Sequence, residues 1–222
     1  MWLAGFDPGG DGQFGWCIAE AAPTSTLAVR RTGVASHAEG AVGDAISALP
    51  AAATVTAIGI DSPLYWTRTG DRNADRMVRH QIRRLGCAAA AGTVQHVNSL
   101  RGACIVQGVL AAHLVRLAYP AVRITESHPK ALLWLLAAAT SDRPVLSLSM
   151  SSLREFFSCE TDDCCEHERD AALAAFAAHA MVLASPDWRN LFLDEDAPFV
   201  PVPPVEYWMP KVPTVATHSQ DR

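Results

Sequence analysis

Three rhythms of apolar and polar positions divide the chain, and each predicts a different kind of element. Short apolar segments in "WLAGFD" and "FGWCIAEA" flank "GGDGQ", where Asp-Gly marks a tight turn, so the pair reads as a β-hairpin. "TLAVRRTGV" extends it to a three-stranded meander. "AEGAVGDAISALP" predicts a short helix ending at Pro50, and "ATVTAIGID" is a nearly unbroken apolar run of the kind buried on both faces of a sheet. Helical spacing returns over residues 71–85 and 99–118, a strand follows in "AVRITE", and "HPKALLWLLAAA" predicts the helix after it. Residues 166–184, "EHERDAALAAFAAHAMVLA", form a long alanine-rich helix. Beyond it Pro198, Pro201, Pro203, Pro204, Pro210 and Pro213 predict an extended strap and a loose end.

This order predicts an α/β fold, a mixed sheet of three antiparallel strands plus two parallel strands with helices on both faces. Right-handed crossovers place the fourth and fifth strands parallel to the first. Residues 1–190 make this domain, and residues 191–222 a Pro-rich C-terminal strap and tail. In helical apolar segments His113, His179 and Trp134 read as packed groups, and Trp66 reads as core.

With 222 residues, half of them hydrophobic, the chain is long enough for one continuous core. A net charge of −5 excludes a protein that coats nucleic acid through its overall charge, though it allows a local basic patch. The longest apolar run, "ALLWLLAAA", is too short for a bilayer, and "MWLAGFDPGG" lacks the basic start of a secretory leader. A cytoplasmic protein with no membrane partner is expected. Six cysteines in such a chain are expected to stay reduced. "CETDDCCEH" offers Cys159, Cys164, Cys165 and His167 to a metal, but the spacing matches no paired-cysteine zinc knuckle, and a solvated loop of thiols is the simpler reading.

Candidate chemistry gathers at one edge of the predicted sheet. Ligand sites in open sheets lie at the carboxyl ends of parallel strands, and the first, fourth and fifth strands end on Asp7, Asp61 and Glu126. A single aspartate there is most often a turn residue. Three acids together raise one another's pKa unless a cation neutralises them, so the group implies protonation or a metal, and oxygen-only ligands select Mg2+ or Mn2+. The last helix contributes more. Asp163 is placed to cap it, with Glu166 three residues later as in a capping box. His167 and Asp170, at i and i+3, share a face that continues through Ala171, Ala174 and Ala178, and this stripe of small residues lets the helix lie close to the sheet. The alternative is a pair of exposed first-turn groups, Asp170 held by a nearby arginine.

Taken in order, "GFD", "GIDSPL", "RNADRMVRHQIRRLG", "ESHP" and "RDAALAA" resemble the RNase H-like superfamily and, more narrowly, the predicted-nuclease family known as domain of unknown function 429. The resemblance runs from about residue 3 to 185 and lies in the order of five short motifs. It implies an RNase H-like sheet, Asp7, Asp61 and Asp170 as metal-binding catalytic acids, and Glu126 and His167 as catalytic groups near them. RNase H-like resolvases similarly carry their last two ligands three residues apart on a helix, some with histidine in the earlier place, the role His167 takes. Two divalent ions about 3.5 to 4 Å apart then support in-line attack on a phosphodiester, with Asp7 as the bridging ligand. The cysteine-rich loop departs from the family's pattern.

On "GDRNADRMVRHQIRRLG", Arg72, Arg76, Arg79 and Arg83 fall within about 60° of one another at 3.6 residues per turn, opposite Ala74, Val78, Ile82 and Leu85. Such a face is commonly only solvated, with Asp75 pairing Arg79. Five arginines and no lysine in this stretch point instead to substrate phosphate, which the planar guanidinium engages through two oxygens. Arg68 and Arg101 extend the same surface.

The expected function is a metal-dependent nuclease acting on DNA or RNA. Two alternatives stand beside it. One is a non-catalytic nucleic-acid or protein-binding module on the same fold. The other is a relative of the actin-like ATP-dependent phosphotransferases, suggested by "DPGGDG", although those enzymes close two such domains over ATP and this chain has residues for one.

Overall fold

The computed structural model describes residues 1–10, 12–22, 26–68, 71–96, 102–140, 153, 156–159 and 164–211. Strands β1 (Trp2–Pro8), β2 (Phe14–Glu20) and β3 (Leu27–Ala35) form the meander, and α1 (Ala38–Ser47) leads into β4 (Val55–Ile60). Helices α2 (Asn73–Arg84), α3 (Ala90–Thr93) and α4 (Gly102–Ala118) precede β5 (Arg123–Glu126) and α5 (Pro129–Thr140). Then come β6 (Phe157–Cys159), α6 (Glu166–Leu183), β7 (Trp188–Asn190), a 3-10 turn over Leu191–Asp194, and β8 (Glu206–Pro210).

The strands form one sheet in the order β6-β3-β2-β1-β4-β5-β8-β7. β2 runs antiparallel to β1 and β3, while β4 is parallel to both β1 and β5, so the mixed sheet of three antiparallel and two parallel strands stands as the sequence predicts. The sheet is also wider than expected. β6 adds to the outer edge of β3, β8 lies parallel beside β5, and β7 pairs antiparallel with β8. β8 follows Pro204 and ends on Pro210, so no proline lies in its interior and the N–H groups there stay available for pairing.

The two-residue period of the strands divides the core in two. On one face Ala4, Phe6, Ile18, Ile58, Ile60 and Ile124 pack with α1 and α4; on the other, Leu3, Cys17, Ala19 and Ala57 pack with α6. Helix α6 is buried almost all round between Asp170 and Met181. Its approach to the sheet is closer than side chains would allow, because a Cβ on Gly5 would fall on the Ala171 carbonyl and one on Gly59 on the Ala174 carbonyl. The alanine stripe and these two glycines are complementary halves of one contact.

Several local expectations change. Asp163 lies outside the described residues, and the capping box is Cys165 with Glu168, the Cys165 N–H donating to Glu168 Oε2 at 2.9 Å. Glu166 is the first residue of α6, not the third, and its carboxylate turns to Lys130 instead. Trp134 and His179 are buried as expected, whereas His113 is exposed on α4 and Trp66 only half-buried. No helix among the described residues is long and apolar enough to cross a membrane.

Candidate metal centre

Parallel pairing fixes what shares a face at the strand ends. Phe6 pairs with Ile60, and Ile60 with Glu126. The Asp61 N–H donates to Phe6 O at 2.9 Å and the Ser127 N–H to Ile60 O at 2.8 Å, which carries the same register one residue further. Asp7 and Asp61 therefore lie level on the α6 face, and Glu126 points through to the other face with Phe6 and Ile60.

Helix α6 completes the first group. His167 Nδ1 lies 2.7 Å from Asp7 Oδ2, and Arg169 sends Nε and Nη2 to one oxygen of Asp170, Oδ1, at 2.9 and 2.7 Å. Burial raises the pKa of all three aspartates, and the group's own carboxylates raise two of them further: Asp7 and Asp170 act on Asp61, and Asp7 acts on Asp170. Asp170 is pushed up to about 6 despite Arg169, and Asp7 stays raised despite its bond to His167. That bond in turn raises His167, burial opposing it. The structure thus brings together Asp7, Asp61, Asp170 and His167, contributed by two neighbouring strand ends and one helix start.

Three carboxylates with one imidazole alongside are the oxygen-rich donor type that hard divalent cations take, but among the described residues their ligand atoms do not all lie within 4.8 Å of one another. Asp7, Asp61 and Asp170 would hold the ion. His167 is fixed by Asp7 as a histidine in such a site is fixed by a carboxylate.

Glu126 belongs to a second, buried group with Asp75 and His128, and this is the group whose ligand atoms, among the described residues, all lie within 4.8 Å of one another. This group already contains its cation. Arg72, fully buried, sends Nε to Asp75 Oδ2 at 2.8 Å, Nη1 to Glu126 Oε2 at 2.7 Å, and Nη2 to Asp75 Oδ1 at 2.7 Å and Glu126 Oε1 at 2.5 Å. All four carboxylate oxygens are engaged. The Leu64 N–H donates to Glu126 Oε2 at 2.9 Å, His128 Nε2 sits 3.1 Å from Oε1, and the Tyr65 ring lies under the guanidinium. Burial favours a neutral Glu126, yet Arg72 holds its carboxyl below the usual carboxylate range. His128 stands between the two groups, its Nδ1 3.9 Å from Asp61 Oδ1.

The arginine stripe is divided by the same geometry. Arg72 precedes α2 in an extended conformation, so the helical angle never applied to it, and its guanidinium is consumed in the core. Arg79 is held by Asp71 and the Val94 carbonyl, not by Asp75, which Arg72 has taken. Arg76 and Arg83 are exposed, and Arg68 shares a cleft of about 570 Å³ with Arg76, Asp71 and Asp194 to Asp196. Arg101 lies outside the described residues. Sequence reasoning missed Lys130 and Arg169, although both adjoin residues it selected, in "ESHPK" and "HERD".

The six cysteines carry no disulfide. Cys159, Cys164 and Cys165 do not converge as metal ligands among the described residues. Burial pushes Cys164 up to about 11, which favours an inert thiol over a thiolate ligand.

No family model matches the chain, and no curated protein matches it. Solved structures similar to it include Thermus thermophilus RuvC in complex with a Holliday junction substrate, at 14% identity and a TM-score of 0.45, over 83% of this chain and 98% of that one. The Thermus thermophilus RuvC structure is similar at 14% identity and a TM-score of 0.37, with the same coverage.

Proposed function

We propose that the protein is a metal-dependent nuclease that hydrolyses phosphodiester bonds in DNA or RNA, with Mg2+ or Mn2+ held by Asp7, Asp61 and Asp170. The observation that carries this reading is the uncompensated charge of those three acids at the carboxyl ends of β1 and β4. Buried acids, two of them raised further by a carboxylate of the same group, are destabilising when charged unless a cation joins them, which suits a binding site better than a structural one. When bound, a divalent ion there supplies Lewis acidity toward a phosphoryl oxygen and toward water.

The chain's own groups have distinct roles in this reading. His167, bonded to Asp7, fixes the orientation of that carboxylate. Arg169 holds one oxygen of Asp170 and leaves the other free of it. Glu126, saturated by Arg72, acts by shaping the turn after β4 through the Leu64 N–H rather than by touching substrate. Arg76 and Arg83 contact the backbone of a longer nucleic acid, a role that Arg72 and Arg79 give up to internal ion pairs. We further read the chain as a cytoplasmic member of the family known as domain of unknown function 429, on the order of its five motifs.

The test is cleavage of labelled single- and double-stranded DNA and RNA in Mg2+ and Mn2+. Metal-dependent products are expected from the wild type, with none from Asp7→Asn or Asp170→Asn of unchanged circular dichroism. Equal cleavage by either variant would remove these acids from the chemistry.

A further inference from the structure

At the rim of the three acids, one carboxylate oxygen is held by two cations. Glu166 Oε1 lies 3.0 Å from Lys130 Nζ at the start of α5 and 3.7 Å from Arg169 Nη2 one turn along α6. Lys130 is close enough to lower the pKa of Asp7, Asp61 and Asp170 alike, and Glu166 is close enough to raise that of Asp7. Arg169 is 14% exposed and locked by its bonds to Asp170, so it is preorganised. Lys130 and Glu166 are open to solvent, 58% and 55% exposed, and a surface ion pair of this kind is held only weakly.

An anionic substrate approaching three carboxylates needs cations on its path, and three of the four arginines of the stripe, Arg72, Arg76 and Arg79, are in internal ion pairs. Besides His167, which is bonded to Asp7, Lys130 and Arg169 are the basic groups beside the acids. The position of Glu166 Oε1 between them is one that a phosphate oxygen would take, with a charge-assisted bond from Lys130 at 3.0 Å and the attraction of the Arg169 guanidinium at 3.7 Å. We propose that Lys130 and Arg169 form a subsite for a phosphate group of the substrate, and that Glu166 occupies it as an internal stand-in until the phosphate displaces it. The proposal rests on the nuclease reading for its substrate class.

Binding of a labelled single-stranded oligonucleotide, followed by anisotropy in Ca2+ buffer, tests it. Glu166→Gln empties the stand-in and should tighten binding about two- to fivefold, the strength of a surface ion pair. Glu39→Gln makes the same charge change on exposed α1, across the sheet, and should leave affinity unchanged. Lys130→Ala should weaken binding and lower the slope against log salt by about one. A gain in Glu166→Gln no larger than in Glu39→Gln, or an unchanged slope in Lys130→Ala, would overturn the subsite. Competition by inorganic phosphate in Glu166→Gln then assigns the ligand: displacement marks a site for a free phosphate group, and its absence a phosphodiester within a polymer. Mn2+ titration of the wild type separates the two readings. Uptake with an inert Glu166→Gln overturns the subsite alone, and no uptake with tightened binding overturns the nuclease alone.

Discussion

Two buried acidic groups lie within a few residues of each other and have opposite electrostatics. Around Arg72, Asp75 and Glu126 give all four oxygens to one guanidinium, and Glu126 stays ionised in the core. Around Asp7, Asp61 and Asp170, the nearest cations engage single oxygens, and all three acids are driven toward protonation. Gathered carboxylates are therefore not in themselves a metal site. What distinguishes the two is whether the fold supplies the counter-charge or leaves it to be supplied.

The largest effect expected from breaking this contrast is at the compensated group. Arg72→Ala strands two carboxylates in the core and should cost about 3 to 5 kcal/mol, read by denaturant unfolding. A loss below about 1 kcal/mol would mean that the group is not the internal ion pair described. Next comes the contact that carries α6 to the sheet. Gly59→Ala sets a methyl against the Ala174 carbonyl and should cost up to about 3 kcal/mol by the same measurement, with Mn2+ affinity falling as His167 and Asp170 shift. Unchanged stability would show that the helix has room to move.

The smallest effect is on pH dependence. Asp7, Asp61, Asp170 and His167 all have folded pKa values raised above their unfolded ones. Groups of that kind contribute stability that is present below the unfolded pKa and is lost as pH rises through the folded value. Without metal, Tm should thus rise as pH falls from about 7 to about 5, through the Asp170 pKa of about 6. Glu126, shifted the other way, loses its contribution only as pH falls through its lowered pKa, in a more acidic range. Asp170→Asn should flatten the rise, and a Tm that falls over this interval would contradict the shared charge of the three acids.

The strand ends were legible in the sequence because apolar runs that stop at an acid are a period-two signal with an unambiguous terminus. The face was harder to read. "IGID" and "ITES" align with Ile60 against Glu126 and Asp61 against Ser127, so the acid that ends β5 comes one residue too early to join Asp61. Counting strand ends groups Glu126 with the aspartates; counting register separates it. Arg72 was misleading for a related reason, since helical spacing extends only as far as the helix, which begins at Asn73. The stripe of Ala171, Ala174 and Ala178 was legible because small residues at helical spacing have one effect wherever they occur, close approach. β6, β7 and β8 were not, being three to five residues long and paired only through tertiary structure.

The central claim is that the cation missing from one group is a divalent metal and that the other group needs none. Calorimetric titration of Mn2+ into the wild type, Asp7→Asn and Asp75→Asn tests it most directly, because Asp75→Asn keeps its shape and leaves Glu126 to hold Arg72. Asp75→Asn should bind Mn2+ like the wild type, and Asp7→Asn should lose affinity by about a hundredfold or more. Uptake lost in Asp75→Asn and retained in Asp7→Asn would place the metal at the group that Arg72 was argued to fill, and would contradict the account.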